Sequence, residues 1–88
     1  MGRIVATMKI FPEDIIISPD KIKEEIKKAL PEQVSIHRID EDPIAFGLVA
    51  LIVQVIMPDA GGIINEVEEI IKSIKGVSQV EAMQVRRV

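Results

Sequence analysis

The chain has 88 residues, 48% of them hydrophobic and 28% charged, which predicts one folded domain spanning residues 1–88. It contains no cysteine, which excludes disulfides, thiolate metal sites and thiol nucleophiles. Its formal net charge of -3 disfavours nucleic acid as a partner, and its longest apolar run, residues 48–57, is about half the length of a membrane-spanning helix. We therefore expect a cytoplasmic protein that binds neither nucleic acid nor membrane.

The first third of the chain predicts a strand followed by a helix. Residues 4–11 form a short β-rich apolar run that ends at Pro12. Ser18-Pro19-Asp20 predicts a helix start, since it offers an N-cap, a proline at the first helical position and an acid that the helix dipole favours. The helix should bury one stripe of apolar residues, at Ile22, Ile26, Ala29 and Leu30. Pro31 should end it.

The middle of the chain predicts two strands joined by a turn. Residues 34–39 alternate loosely, as an edge strand does, and an acidic turn is expected at Asp40-Glu41-Asp42, before Pro43. Residues 47–57 are almost continuously apolar and rich in valine and isoleucine. Such a run predicts a central strand with neighbours on both sides.

A second helix and a last strand complete the pattern. After Gly61-Gly62 the apolar residues recur at helical spacing, at Ile63, Ile64, Val67, Ile70, Ile71 and Ile74. Residues 77–88 predict the final strand. The order βαββαβ predicts an α+β, ferredoxin-like fold, in which a four-stranded antiparallel sheet carries both helices on one face. The first and third strands should be central, and the open face is a possible contact surface.

The residues that usually carry chemistry are sparse. His37 stands alone, and no serine lies in a recognisable nucleophile setting. Asp40, Glu41 and Asp42 could bind a hard cation, but a solvated turn is the preferred interpretation because they lack the ligand spacing of a calcium loop. Gly61-Gly62 does not match a phosphate-binding loop. We therefore expect a protein that is not an enzyme, that needs no cofactor or metal, and that acts through its surface.

The most distinctive segment is Asp42-Pro43-Ile44-Ala45-Phe46-Gly47, which displays a bulky aromatic residue between a proline and a central strand. It resembles the Pro-x-x-aromatic-Gly segment of the translation elongation factor 1-beta family, and the whole chain is similar to the archaeal branch of that family. The endings of the first and last strands, residues 9–11 and 80–84, are consistent with this resemblance.

The resemblance implies guanine-nucleotide exchange on elongation factor 1-alpha, the GTPase that brings aminoacyl-tRNA to the ribosome, in both its GDP-bound and nucleotide-free forms. It also implies a partner-binding surface that includes a basic residue near the carboxyl terminus. Aligning the last strand without gaps from Val77 puts Arg87 at that position, whereas anchoring the alignment on Ala82-Met83-Gln84 puts Val85 there. The partner-binding residues expected from the resemblance are Pro43, Phe46, Gly47, Arg86 and Arg87.

We expect Phe46 to anchor the partner and Arg87, helped by Arg86, to perturb its phosphate and magnesium site, the aromatic and the cationic tail together forming one wedge. Two plainer interpretations stay open. Phe46 could be a core residue under the turn, and the two arginines could belong to a frayed terminus.

Two other functions stay open as well. The chain could be a small-ligand-binding regulatory module of ferredoxin-like fold. It could also be a passive scaffold subunit that binds elongation factor 1-alpha without changing GDP release.

Overall fold

The computed structural model describes residues 2–88 and has the expected order of elements. The strands and helices are β1 (Arg3–Pro12), α1 (Pro19–Ala29), β2 (Ser35–Pro43), β3 (Val49–Pro58), α2 (Ile63–Lys72) and β4 (Val77–Arg87). The sheet has the order β2-β3-β1-β4, and every neighbouring pair is antiparallel. This arrangement confirms the ferredoxin-like α+β fold, with β1 and β3 central and β2 at an edge.

The core lies between the helices and one face of the sheet. Alternate residues of the two central strands are buried there, at Ile4, Ala6, Met8, Ile10, Leu51, Val53, Val55 and Met57. The helices contribute Ile22, Ile26, Ile63, Val67 and Ile71 to the same cluster. Because side chains alternate across a strand, burial of one set on the helices leaves the other set on the face that the helices do not cover.

Helix α1 begins where the sequence predicts but buries fewer residues than expected. Ser18 is the N-cap residue and Pro19 the first helical residue, although the Ser18 side chain makes no capping hydrogen bond. The helix ends at Ala29, which is exposed, so the expected apolar stripe is narrower than predicted. Leu30 is half-buried beyond the helix, and its backbone N–H donates to the Ile26 carbonyl.

The expected acidic turn is wrong, because Asp40, Glu41 and Asp42 all lie within β2. They pair with Ile52, Leu51 and Ala50 of β3. Their carboxylates are compensated by cations: Arg38 Nε lies 2.7 Å from Asp40 Oδ2, Lys23 Nζ 2.9 Å from Glu41 Oε2 and Lys9 Nζ 3.3 Å from Asp42 Oδ2. An edge strand tolerates such charged residues because much of it faces water.

The molecule is elongated, with principal extents of 43 × 20 × 17 Å. Neither helix between residues 2 and 88 combines the length and apolar content needed to cross a bilayer. Loops at opposite ends of the long axis are therefore far apart, and residues that they carry cannot form one compact site.

Candidate functional site

A tight loop joins β2 to β3 and carries the residues of the distinctive segment. Pro43 is the last residue of β2 and pairs with Val49, the first residue of β3. The Ile44 N–H donates to the Leu48 carbonyl at 2.8 Å, and the Leu48 N–H donates to the Ala45 carbonyl at 3.3 Å. These bonds close a short 3-10 turn over Ala45–Gly47.

Phe46 stands at the tip of this loop in a strained backbone conformation. Its φ of 63° and ψ of 29° place it in the left-handed region, where a bulky residue is an outlier and costs about 1–2 kcal/mol. The residue is 92% exposed. The interpretation of Phe46 as a core residue is therefore wrong, and the strain has no compensating burial within the chain.

Gly47 completes the turn and needs to be glycine for its own conformation. Its φ is +77°, which L side chains rarely adopt, and a methyl group added there would lie 3.7 Å from Ile15 Cγ2. The loop after β1 therefore lies against the Phe46 loop.

The loop after β1 holds two exposed apolar residues, Ile15 and Ile16, that no sequence motif singles out. The Ile17 N–H donates to the Asp14 carbonyl at 3.2 Å, which closes a turn over residues 14–17 with Ile15 and Ile16 at its corners. Their side chains are 61% and 82% exposed. The corners of a turn usually hold Gly, Pro, Asn, Asp or Ser. Two isoleucines at such corners are therefore unusual, and this is the sequence signal that could have identified the loop as a candidate contact surface.

The other candidate residues lie at the carboxyl end of β4, which is held to the start of β1. Arg87 pairs with Ile4 and Arg86 with Val5, and the Val88 N–H donates to the Arg3 carbonyl at 3.0 Å. The interpretation of these arginines as a frayed terminus is therefore wrong.

The Arg87 side chain forms an ion pair with Asp59 and is otherwise exposed to solvent. Its Nε lies 3.0 Å from Asp59 Oδ2, while the side chain remains 82% exposed. The Asp59 N–H in turn donates to the Gly2 carbonyl at 3.0 Å. Among residues 2–88 the ion-pair partner of Arg87 is Asp59, which leaves most of the guanidinium exposed to meet a partner.

The structure places Phe46 and Arg87 at opposite ends of the sheet, so the expectation that they form one wedge is wrong. Arg87 is aligned through Ile4 with Met57, near the end of β3, whereas Phe46 precedes the start of β3 at Val49. Eight residues of strand separate Val49 from Met57, which is about 26 Å at the usual rise per residue.

The two arginines do not form one patch either. Arg87 aligns with Ile4, a core residue, whereas Arg86 aligns with Val5, the next residue along β1. Successive side chains of a strand leave opposite faces, so Arg86 projects from the face that the helices leave uncovered. Val85, the other alignment candidate, is a half-exposed apolar residue and cannot supply a cation. A bulge at Met83 interrupts the pairing of β4 with β1, between Gln84 and Ala82.

Between the two ends, paired charges cover the surface around α1 and β2. Lys23 Nζ lies 2.9 Å from Glu41 Oε2 and 3.6 Å from Asp20 Oδ1. The hydrogen bond to Glu41 raises the pKa of Lys23 above its usual value, and the charges of Glu41 and Asp20 act in the same direction. This surface is a solvated network of paired charges.

A shallow groove of about 710 Å³ between α1 and β2 is where a small-ligand-binding module could hold a metabolite. It is lined partly by Lys27 and His37, which are exposed. No polar or charged side chain is buried among the residues described, so the groove lacks the fixed polar groups that orient a small ligand. Within residues 2–88, no three His, Asp or Glu side chains come together as a metal site.

Comparison with known sequences gives a consistent result. The sequence pattern of the EF-1 guanine nucleotide exchange domain matches residues 5–88. Elongation factor 1-beta of Methanothermobacter thermautotrophicus is 47% identical over 87 residues, covering 99% of this chain and 98% of that protein. The proteins of the same name from Staphylothermus marinus and Natronomonas pharaonis are 42% and 35% identical, with 99% and 100% of their lengths matched and 100% of this chain in both cases.

Among solved structures, the C-terminal domain of the MgtC protein from Mycobacterium tuberculosis has a similar fold. The TM-score is 0.65 at 10% identity, with 99% of this chain and 88% of that chain covered. At this identity the likeness concerns the fold alone. The sequence matches confirm the family resemblance that the Phe46 segment indicates.

Proposed function

Because this chain belongs to the family of EF-1 guanine nucleotide exchange domains, we propose that residues 1–88 act as one exchange domain that promotes GDP release from elongation factor 1-alpha in the cytoplasm. GTP then reloads the vacant GTPase during translation elongation. The structural observation that best supports this proposal is Phe46, displayed at 92% exposure on a strained backbone. Strain that burial does not compensate is typical of residues kept for binding.

In this proposal the two ends of the molecule contact two separate parts of the GTPase. Phe46, supported by Pro43 and Gly47, anchors one end by burying an aromatic side chain in the partner. Arg87 approaches the phosphate and magnesium site from the other end, and Arg86 adds positive charge there from the opposite face of β4. Two contacts on one rigid body reinforce each other, since the first raises the effective concentration of the second.

The proposed mechanism is electrostatic competition followed by stabilisation of the vacant state. A GTPase holds its nucleotide largely through the phosphate-binding loop and a magnesium ion, so a guanidinium placed beside that ion disfavours it. By linkage, a factor that binds the vacant GTPase more tightly than the loaded one weakens nucleotide binding by the same ratio. No covalent bond is made or broken, which agrees with a protein that is not an enzyme.

The same proposal excludes nucleic acid and membrane as direct partners. The net charge of -3 gives no general attraction to phosphate backbones, and the positive charges of Lys9, Lys23 and Arg38 are each paired with a carboxylate.

The decisive experiment measures release of labelled GDP from purified elongation factor 1-alpha, with and without this protein. We expect release to accelerate with protein concentration and to reach a plateau. Binding without acceleration would support a passive scaffold subunit instead. Absence of both binding and acceleration at high protein concentration would refute the proposed function.

A further inference from the structure

We infer that Ile15 and Ile16 form, together with Phe46, one apolar tip that binds an apolar pocket on elongation factor 1-alpha. This inference rests on the proposed function and adds to it two residues outside the distinctive segment. We call these three residues, which are 61%, 82% and 92% exposed, the apolar tip.

The apolar tip is assembled from two loops that the fold brings together. Ile15 lies against the loop that carries Phe46, since its Cγ2 is 3.7 Å from where a Gly47 methyl group would be. The loop of Ile15 is fixed in turn, because the Glu13 N–H donates to the Gly76 carbonyl at 2.9 Å. The backbone of the loop that carries Ile15 and Ile16 is therefore anchored before any partner binds, which lowers the entropy cost of ordering it on binding.

Local conformational preferences disfavour this arrangement. Isoleucine is β-branched and is a poor residue for turn corners, yet Ile15 and Ile16 occupy both of them. Phe46 is likewise in a conformation that its residue type disfavours. Two neighbouring loops thus hold apolar residues that are both unfavourable for the local backbone and exposed to solvent. This combination is expected of a binding site.

The size of the apolar tip favours a subsite over a self-association surface. Its three side chains expose on the order of 400 Å², about half of what each partner buries in a stable complex. A contact of this size does not sustain a dimer by itself. It is sufficient as one end of an interface whose other end is Arg87. Because Phe46 is the proposed anchor for elongation factor 1-alpha, the two isoleucines of the tip are assigned to the same partner.

The test compares four proteins: wild type, I16S, the double variant I15S/I16S, and M83S as a matched control. Met83 is 54% exposed on β4, so M83S removes a similar apolar surface away from the apolar tip. The measurements are binding to nucleotide-free elongation factor 1-alpha, the GDP-release rate, the thermal midpoint and the sedimentation coefficient. Serine suits a turn, so the variants should fold with an unchanged or higher midpoint.

We expect I15S/I16S to weaken binding about tenfold or more and I16S severalfold, with M83S equal to wild type. The plateau rate of GDP release at saturating protein should be unchanged, because Arg87 is intact.

If wild type is active and I15S/I16S binds as wild type does, the inference is overturned while the proposed function stands. If wild type neither binds nor accelerates release, both fail. A wild-type dimer that becomes a monomer only in the double variant would also overturn the inference, since the apolar tip would then bind a second copy of this chain.

Discussion

The loop that carries Phe46 and the strand end that carries Arg87 are built in opposite ways. Phe46 is exposed, apolar and held in a disfavoured conformation, on a loop whose Gly47 lies against Ile15 of a second loop. Arg87 is charged, lies in regular β-structure paired with Ile4, and is oriented by Asp59. One end offers apolar area and the other offers a positioned cation.

This difference indicates a division of roles between affinity and rate. Burial of apolar area contributes equally to every state of a partner that presents the same pocket, so the Phe46 end should determine how tightly the proteins associate. A cation directed at a magnesium site acts differently on the loaded and vacant states, so the Arg87 end should determine how fast GDP leaves.

The largest expected effect is that of Arg87→Ala. We expect the plateau rate of GDP release to fall roughly ten- to hundredfold, because the substitution removes the group that we propose competes with magnesium. The protein concentration at half-plateau should change little. Stopped-flow release of a fluorescent GDP analogue over a range of protein concentrations measures both quantities.

The matched control is Arg38→Ala, which removes another exposed arginine paired with an aspartate, on β2. A point substitution is sharper than deletion of residues 86–88, since deletion also removes the bond from the Val88 N–H to Arg3. Equal plateau rates for Arg87→Ala and wild type would rule out the role given to this end.

Next in size is Phe46→Asn, which should change affinity and stability in opposite directions. Asparagine tolerates positive φ, so the free protein should gain up to about 1 kcal/mol. The concentration at half-plateau should rise about tenfold while the plateau rate stays constant. Calorimetry and the release assay measure the two effects. A lower midpoint together with unchanged affinity would show that Phe46 serves the fold and not the partner.

Gly47→Ala tests whether the geometry of the Phe46 loop matters as much as its residues. With φ at +77°, alanine should destabilise the protein by about 1 kcal/mol and disturb the loop. We expect a severalfold loss of affinity measured by titration calorimetry. Gly61→Ala is the control, because that glycine has open space around it and no positive φ. If both variants bind alike, the conformation of the loop does not contribute.

Asp59→Asn examines the orientation of the cation at the other end. The ion pair with Arg87 is exposed, and such pairs contribute about 0.2–1 kcal/mol. The plateau rate should therefore fall only two- to threefold, with unchanged affinity. A rise in rate would mean that Asp59 restrains Arg87 by neutralising it and does not serve to position it.

The smallest effect is expected in the body between the ends, for Glu41→Gln. The hydrogen bond to Glu41 raises the pKa of Lys23 above the usual 10.5. A raised folded-state pKa means that the contribution to stability is fully present below the usual value and disappears as the pH rises through the raised one. The thermal midpoint of the variant should be slightly lower than that of wild type at pH 7, and the two midpoints should converge above pH 10.5. The affinity for the GTPase and the plateau rate of GDP release should not change.

Much of the fold could be predicted because apolar periodicity alone specifies it. The continuous apolar run of β3 and the helical spacing of Ile63, Val67 and Ile71 have few alternative structures. The acidic segment of β2 could not be predicted as a strand from its own residues, since it is stabilised by pairing with β3 and by cations distant in sequence, such as Lys9 and Lys23. Local propensity carries no information on such partners.

The candidate site was less predictable for the same reason. Phe46 is recognisable because its neighbours Pro43 and Gly47 mark a turn, but its distance from Arg87 follows from strand register, which no short motif encodes. The exposure of Ile15 and Ile16 could be predicted only once the turn was located, because exposed isoleucines and buried ones look alike in a sequence. Their significance depends on which loop lies beside theirs.

The length of the central strands has a consequence for how such a factor can change over time. Every residue pair added to or removed from β1 and β3 would alter the span between the two ends by about 7 Å, and an odd number would also turn the side chains to the wrong face. The span therefore cannot be adjusted in small increments. A factor of this design and its GTPase should keep matched dimensions, while the loops at either end remain free to vary in composition.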